Sequence, residues 1–390
     1  MSLLVTVTGR DAPGVSAAVM DVLDAYGSEV LDIEQVVVHG RLLLGVAVRG
    51  DGDGDPVRAA LATRVAELGL DLELTPLPDT DEPARAVRHH VVVLASTLTP
   101  GALAAVTRRL AGCGANIERV VRLSSWPAQS YELLVAGGET GAIRRELAAE
   151  AVAQRIDVAV EAASLYRRAR RLLVMDVDST LVQGEVIEML AGAAGCGPEV
   201  TRVTEQAMAG ELDFEQSLRA RVALLAGLPV EAVDRVRDAV RLTPGARTLI
   251  RTLQRIGYAV GIVSGGFTVV TDALASELQL DHARANVLEV VDGRLTGQLV
   301  GPVIDRAGKA AALREFAAAE GLLMVQTVAV GDGANDLDML AAAGLGIAFN
   351  AKPVVREAAD AGLSVPFLDA VLFLLGISRE EIETADTVVG

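Results

Sequence analysis

The chain has 390 residues, of which 51% are hydrophobic but only 3% aromatic, and a formal net charge of −17. That length suggests two or three domains, and cores built from Ala, Val and Leu favour sheets covered by helices. The negative charge excludes a partner held through a phosphate backbone, and two cysteines and four histidines exclude a disulfide framework or a His-rich metal cluster.

The opening "MSLLVTVTGRD" lacks a basic leader and meets Gly9, Arg10 and Asp11 before an apolar core could form, so no signal peptide is expected. The most apolar late stretch, "VPFLDAVLFLLGIS", is broken by Asp369 and too short to span a bilayer. A soluble, cytoplasmic protein that binds neither membrane nor nucleic acid is expected.

A degenerate repeat fills the first half. "LLVTVTGRDAPGVSAAVMDVLDAYGSEVLDIEQVVV" aligns with "HVVVLASTLTPGALAAVTRRLAGCGANIERVVRL", pairing Pro13-Gly14 with Pro100-Gly101 and Gly27 with Gly114. Each copy reads as an alternating strand, a Pro-Gly turn, an amphipathic helix stopped by Gly and a second strand. Strands at "RLLLGVAVRG" and "SYELLVAGG", helices at 56–68 and 140–153, and strands at "LDLELTPL" and "IDVAVEAAS" complete βαββαβ twice. Between the copies, "TPLPDTDEPARA" reads as a linker.

This half resembles a tandem pair of ACT domains, ferredoxin-like βαββαβ modules that bind amino acids, over 1–80 and 86–165. The resemblance implies an amino-acid effector, with Gly14 and Gly101 as ligand-loop positions; simple helix-starting turns fit those glycines equally well. It also implies edge-to-edge pairing of modules in a homodimer. A generic pair used only for dimerisation is the other reading.

From residue 170 the pattern changes. "RLLVMDV", "YAVGIVSGG" and "QTVAVGDGAND" are apolar runs ending in polar loops, separated by helical stretches, as buried parallel strands with crossover helices read. In such a Rossmann-like sheet the site lies beyond the carboxyl ends of the strands. Residues 186–243, largely helical in periodicity, read as an inserted cap, and "SREEIETADTVVG" as a last polar helix and tail.

Four clusters fall at those strand ends or at a helix start: Asp176-Val-Asp178-Ser-Thr180, Ser264-Gly265-Gly266, Lys309, and Gly331-Asp332-Gly333-Ala-Asn335-Asp336. Taken singly, Ser264 could be a helix N-cap and Lys309 an exposed first-turn lysine. Together they resemble the haloacid dehalogenase superfamily of phosphotransferases and, within it, the phosphoserine phosphatase family. The resemblance covers essentially all of residues 171–370, within a phosphatase domain expected over 170–390. It implies Asp176 as nucleophile, Asp178 as general acid and base, and Ser264, Gly265, Lys309 and Asn335 around the phosphoryl group. It implies magnesium held by Asp176, Asp178 through its carbonyl, and Asp332, with Asp336 supporting. Glu185 and Arg221 coincide with the positions for the substrate's ammonium and carboxylate, and Met208 and Phe214 with apolar cap positions.

Elementary chemistry supports these roles. A phosphate dianion repels a carboxylate, so attack by Asp176 needs positive charge nearby, which magnesium and Lys309 supply. Magnesium prefers oxygen ligands. Asp178 must be protonated to release the alcohol and ionised to activate water, which calls for a raised pKa. Gly265 and Gly266 would let backbone N–H groups approach phosphate, and Gly331 and Gly333 would allow a turn aiming Asp332 inward.

Rival patterns fail. "DGDGDPVRAALA" has Pro56 where a calcium loop needs its glycine, and "GDGAND" has Asp336 where a dinucleotide fingerprint needs its third. The expected activity is hydrolysis of phosphoserine. Action on another small phosphoester or on phosphoproteins is the enzymatic alternative, and an amino-acid sensor with an idle phosphatase half the non-enzymatic one.

Overall fold

The computed structural model describes residues 2–50, 55–78, 87–169 and 171–387, with the backbone alone at 168, 208, 386 and 387. The expected linker lies largely outside the described residues. The chain divides into two compact units, Met1–Arg85 and Ala86–Gly390.

In the first unit, β1 (Ser2–Arg10), β2 (Glu29–Val38), β3 (Arg41–Arg49) and β4 (Asp71–Leu77) form an antiparallel sheet in the order β2-β3-β1-β4. Alternation along β1 and β3 turns Val5, Val7, Leu44 and Val46 to one face. There they bury against Val19 and Leu23 of the helix Val15–Ala25 and Leu61 and Val65 of the helix Asp55–Glu67.

The second unit begins with the same module. Its strands β5 (Arg88–Ala95), β6 (Ala115–Ser124), β7 (Gln129–Gly137) and β8 (Asp157–Ala162) run β6-β7-β5-β8. The copies differ at the paired Pro-Gly turns. Gly14 is itself the N-cap in left-handed conformation, φ 91°, a geometry that suits glycine. In the second copy Thr99 caps, accepting from the Ala102 amide at 3.2 Å, and Gly101 is already inside the helix Pro100–Gly112. The aligned glycines therefore do different work.

The rest of this unit is a seven-stranded sheet of β9 (Leu172–Met175), β10 (Ala259–Phe267), β11 (His282–Val291), β12 (Arg294–Val300), β13 (Thr327–Gly331), β14 (Leu345–Phe349) and β15 (Ala361–Leu363). The order is β12-β11-β10-β9-β13-β14-β15, parallel except at β12. The chain winds outward from β9 in both directions, so the crevice for a ligand opens at its carboxyl end. Four helices, Val186–Ala194, Gly197–Met208, Phe214–Ala223 and Val230–Ala239, form the cap. Its two connections pair with each other: the Gln183 amide donates to the Arg241 carbonyl (2.8 Å) and the Thr243 amide to that of Leu181 (2.9 Å).

One stretch departs from the expected alternation of strands and helices. Residues 282–300 form a hairpin whose turn, Asp292-Gly293, has φ of 50° and 72°. Asp-Gly with both φ positive matches the twist of paired strands, and it aligns β12 as the antiparallel edge. The βαββαβ module is joined to β9 through buried charge. Arg167 donates to Glu132 (2.5 Å) and Glu161 (3.2 Å), and fully buried Arg171, adjoining β9, donates to Glu161 (3.0 Å).

Candidate active site

The four residues of β9 are apolar and fully buried, and Asp176 follows still within the sheet, its amide donating to the Val330 carbonyl of β13 at 2.9 Å. Asp176 and Asp178 both keep extended backbone, φ −65°, and the chain turns only at Ser179, φ 57°. A serine held left-handed costs about 1–3 kcal/mol. Here the Ser179 amide donates to the Gly184 carbonyl (3.0 Å) and its hydroxyl to Glu185 (3.0 Å). Asp178 accepts from the Ser264 hydroxyl at 3.1 Å and from the amide of Val186, the first residue of the cap, at 2.8 Å.

Ser264 lies within β10, before the helix Thr268–Leu278, which Phe267 caps, so its hydroxyl is free of that duty. That hydroxyl also accepts from the Gly266 amide at 2.7 Å. A Cβ on Gly265 would stand 3.0 Å from the Phe214 ring of the cap. Close approach is what this glycine permits. Neither Gly331 nor Gly333 has the positive φ that the expected turn would use. A Cβ on Gly331 would come within 2.5 Å of the Asp336 carboxyl, and one on Gly333 would collide with Asn335. Both give room for side chains rather than bend the backbone.

Lys309 is in the first turn of the helix Arg306–Ala319, which Asp305 caps by accepting from the Gly308 amide. Its side chain is fully buried, with Nζ 2.6 Å from Asp176 and 2.7 Å from Asp336. Asp336 also accepts from the Gly333 amide (3.0 Å), and Asp332 accepts from the Thr180 hydroxyl (3.3 Å). Carboxylate oxygens of Asp176, Asp332 and Asp336 lie within 4.8 Å of one another.

The electrostatics follow from that crowding. Burial, then the charge of Asp336, raises the Asp176 carboxyl well above its usual range against the pull of Lys309. Burial and Asp336 push Asp332 up to about 6. Burial opposes charge on Lys309, but Asp176 and Asp336 outweigh it and raise its pKa, so the ammonium stays charged. Three carboxylates face one ammonium. The donors are hard oxygens and the uncompensated charge is about two units, which fits a divalent cation.

Glu185 stands on the rim, open to solvent. Enclosure by surrounding protein, then the charge of Asp178, pushes it up to about 7, a shift that its contact with water screens. Arg221, half-buried on the helix Phe214–Ala223, lies within the fields of Glu185 and Asp178, while burial lowers its pKa; its Nε donates to the Ser217 carbonyl at 3.3 Å. Met208 ends the helix Gly197–Met208, but its side chain lies outside the described residues. Asn335 is half-buried in the turn after β13.

Two residues were passed over in the sequence. Thr180 orients Asp332 and was visible only as part of the first cluster. Asn286, 2% exposed, donates to the Gly265 carbonyl and accepts from the Ile304 amide, both at 2.8 Å, tying the Ser264 loop to the segment before Lys309. An asparagine between Ala285 and Val287 was its one signal.

An aspartate on the central strand, cornered by a lysine and two further aspartates beneath a helical cap, defines a haloacid dehalogenase-like hydrolase. Residues 173–341 match that family, and residues 1–75 and 87–161 each match an ACT domain. The chain is 57% identical to a phosphoserine phosphatase of Streptomyces coelicolor, over 99% of this chain and 95% of that protein. It is 52% identical to the phosphoserine phosphatase SerB2 of Mycobacterium tuberculosis, over 99% and 96%. Among solved structures, the unliganded probable phosphoserine phosphatase of Vibrio cholerae superposes with a TM-score of 0.59 at 36% identity, over 77% of this chain and 89% of that one. The chain belongs to the phosphoserine phosphatase family.

Proposed function

We propose that the chain hydrolyses O-phospho-L-serine to L-serine and inorganic phosphate, the last step of serine biosynthesis, using magnesium and Asp176 as nucleophile. The observation that carries the reading is Lys309 buried between Asp176 and Asp336 beside Asp332. Magnesium, held by Asp176, Asp332 and the carbonyl of Asp178 with Asp336 in support, would supply the charge that lets a carboxylate approach a phosphate dianion. Lys309, Ser264, Asn335 and the Gly265 amide hold the phosphoryl oxygens. An oxygen of Asp176 bonds to phosphorus as the bond to the serine oxygen breaks, and Asp178 gives that oxygen its proton. Asp178, now ionised, takes a proton from the water that cleaves the aspartyl phosphate. Glu185 receives the substrate's ammonium and Arg221 its carboxylate, while Phe214 and Met208 exclude water.

The domains run 1–80, 86–165 and 170–390, the last with its cap at about 186–243, and the protein works in the cytoplasm. Among the described residues no helix is long and apolar enough to cross a membrane. The two ACT modules carry amino-acid regulation, with the Gly14 turn in the first copy and the helix start that contains Gly101 in the second as the ligand positions. A homodimer forms through the first module, a reading supported by the edge strand β2, on which Val30, Ile33, Val36 and Val38 are all exposed. The test is phosphate release from L-phosphoserine with magnesium and with a chelator in its place. Equal rates in the two, or none in either, would end the proposal.

A further inference from the structure

A cleft of about 360 Å³ opens between the second ACT module and the phosphatase sheet, and none of the residues of the catalytic clusters lines it. Cavities of this size take small molecules. One wall is the helix Thr140–Gln154 with β8, and the other is the segment from Arg356 into β15. Two ion pairs cross it in opposite senses. Arg144 of the module holds Asp360 of the phosphatase at 2.7 Å, and Arg356 of the phosphatase holds Asp157 of the module at 3.1 Å.

The lining is apolar at Ala148 and at the exposed Val152, and its charged groups are of both signs. Arg144 spends Nε and Nη2 on the Val160 carbonyl and Nη1 on Asp360. Arg356 shows one donor bond, from Nη2 to Asp157. Each guanidinium has five N–H groups, so donors remain on both arginines, and both side chains are part-exposed at 32% and 27%. With Glu357 also on the lining, the site carries no excess of positive charge to favour a simple anion. It suits a molecule that offers a carboxylate and an ammonium close together with a small apolar remainder.

We propose that this interdomain cleft binds a small aliphatic α-amino acid, its carboxylate on the free donors of Arg356 and Arg144, its ammonium on Asp360, and its side chain against Ala148 and Val152. Asp360 also accepts from the Gly346 amide at 2.9 Å, at the start of β14, which pairs with β13, the strand leading to Asp332. A ligand there bears on both the module and the sheet that positions the site. The inference extends the regulatory reading above to a place distinct from Gly14 and Gly101.

The test is calorimetry on the full chain with L-alanine and L-valine, with propionate and ethylamine as controls carrying a single charge. Expected is saturable binding of the amino acids, one per chain, at least tenfold tighter than either control. The exposed Ala148 lies on the helical wall, so Ala148→Trp fills the cleft from its rim; it should weaken binding at least tenfold while phosphatase activity without amino acid stays at the wild-type rate. Asp360→Asn should weaken the ammonium contact similarly. No saturable binding, controls that bind as tightly, or binding that survives Ala148→Trp but is lost in Gly14→Val would overturn the proposal. Wild-type turnover in that case leaves the phosphatase reading standing, so the two can fail separately.

Discussion

Replacing Lys309 by Met tests the charge balance of the site most directly. Methionine keeps a long unbranched side chain in a fully buried position but removes the ammonium that lies 2.6 Å from Asp176 and 2.7 Å from Asp336. At an effective dielectric of about 20, each contact is worth roughly 6 kcal/mol of gross attraction. Desolvation of the ammonium cancels much of that sum. Breaking a buried pair from one side costs about 3–5 kcal/mol, because the remaining charge is stranded. In a chelator the urea midpoint should therefore fall by roughly 1–2 M, followed by circular dichroism. The loss depends on pH. Asp176 already has a folded pKa above its unfolded value, so the stability it contributes is present at acid pH and lost as pH rises through the folded pKa. Without Lys309 that pKa rises further, at about 1.4 kcal/mol per unit, so the deficit should be smaller at pH 5 than at pH 8. With magnesium and phosphoserine, turnover should fall roughly 10²–10³-fold, the usual cost of one lost charge-stabilising donor. A variant with wild-type midpoint at both pH values and wild-type turnover would show that the ammonium neither balances the carboxylates nor holds phosphate.

The remaining predictions address nucleophile, specificity, cap and rim. Asp176→Asn should lower turnover by roughly 10⁴-fold or more and yield no base-labile phosphoprotein on rapid quench; turnover near wild type would remove the nucleophile. Arg221→Met should raise KM for phosphoserine by about 2 kcal/mol, some 30-fold, and leave phosphoethanolamine, which lacks the carboxylate, nearly unaffected; equal losses on both would place Arg221 elsewhere in the reaction. Gly265→Ala puts a methyl 3.0 Å from the Phe214 ring, so the cap should seat less closely and KM rise several-fold with the fold intact, as circular dichroism would report. Glu185, raised from 4.5 to about 7, contributes stability below its unfolded pKa and loses it as pH rises through 7. In a chelator, Glu185→Gln should therefore raise Tm at pH 8 relative to wild type more than at pH 5, and an equal effect at both would rule out the raised pKa.

Legibility in the sequence followed the physics of each signal. The βαββαβ modules were readable because alternation and helical period are local, and the observed helices Asp55–Glu67 and Thr140–Gln154 lie within a residue of the ranges read from the sequence. The acidic clusters were readable because charge at the end of an apolar strand is conspicuous. The hairpin at 282–300 was missed although Asp292-Gly293 announces it, since strands β11 and β12 carry exposed apolar residues and lack the continuous apolar run of a central strand. The tasks of Gly331 and Gly333 were misjudged for another reason. Sequence tells that a glycine is present, but only packing tells whether it serves φ or space, and here Asp336 and Asn335 fill the volume a Cβ would need. Asn286 was invisible because its partners, the Gly265 carbonyl and the Ile304 amide, are backbone groups about 20 residues away on either side.

Arg167 and Arg171, just before β9, carry no meaning in sequence beyond basic character, yet they tie the second ACT module to the catalytic sheet. A fully buried guanidinium such as Arg171 needs a counter-charge within reach. That counter-charge is Glu161, on the strand that ends the second ACT module, at 3.0 Å. Arg167 binds the same Glu161 and reaches Glu132 on β7 as well. Arg171 in turn accepts the Ala259 amide on its carbonyl at 3.0 Å, which sets β10 beside the strand that delivers Asp176 five residues later. The module and β9 thus share one ion network, and a rotation of the module that withdrew Glu161 would strand a buried arginine at the base of the strand that leads to Asp176. Each domain holds one member of a buried ion pair, and separating the two would leave the other uncompensated.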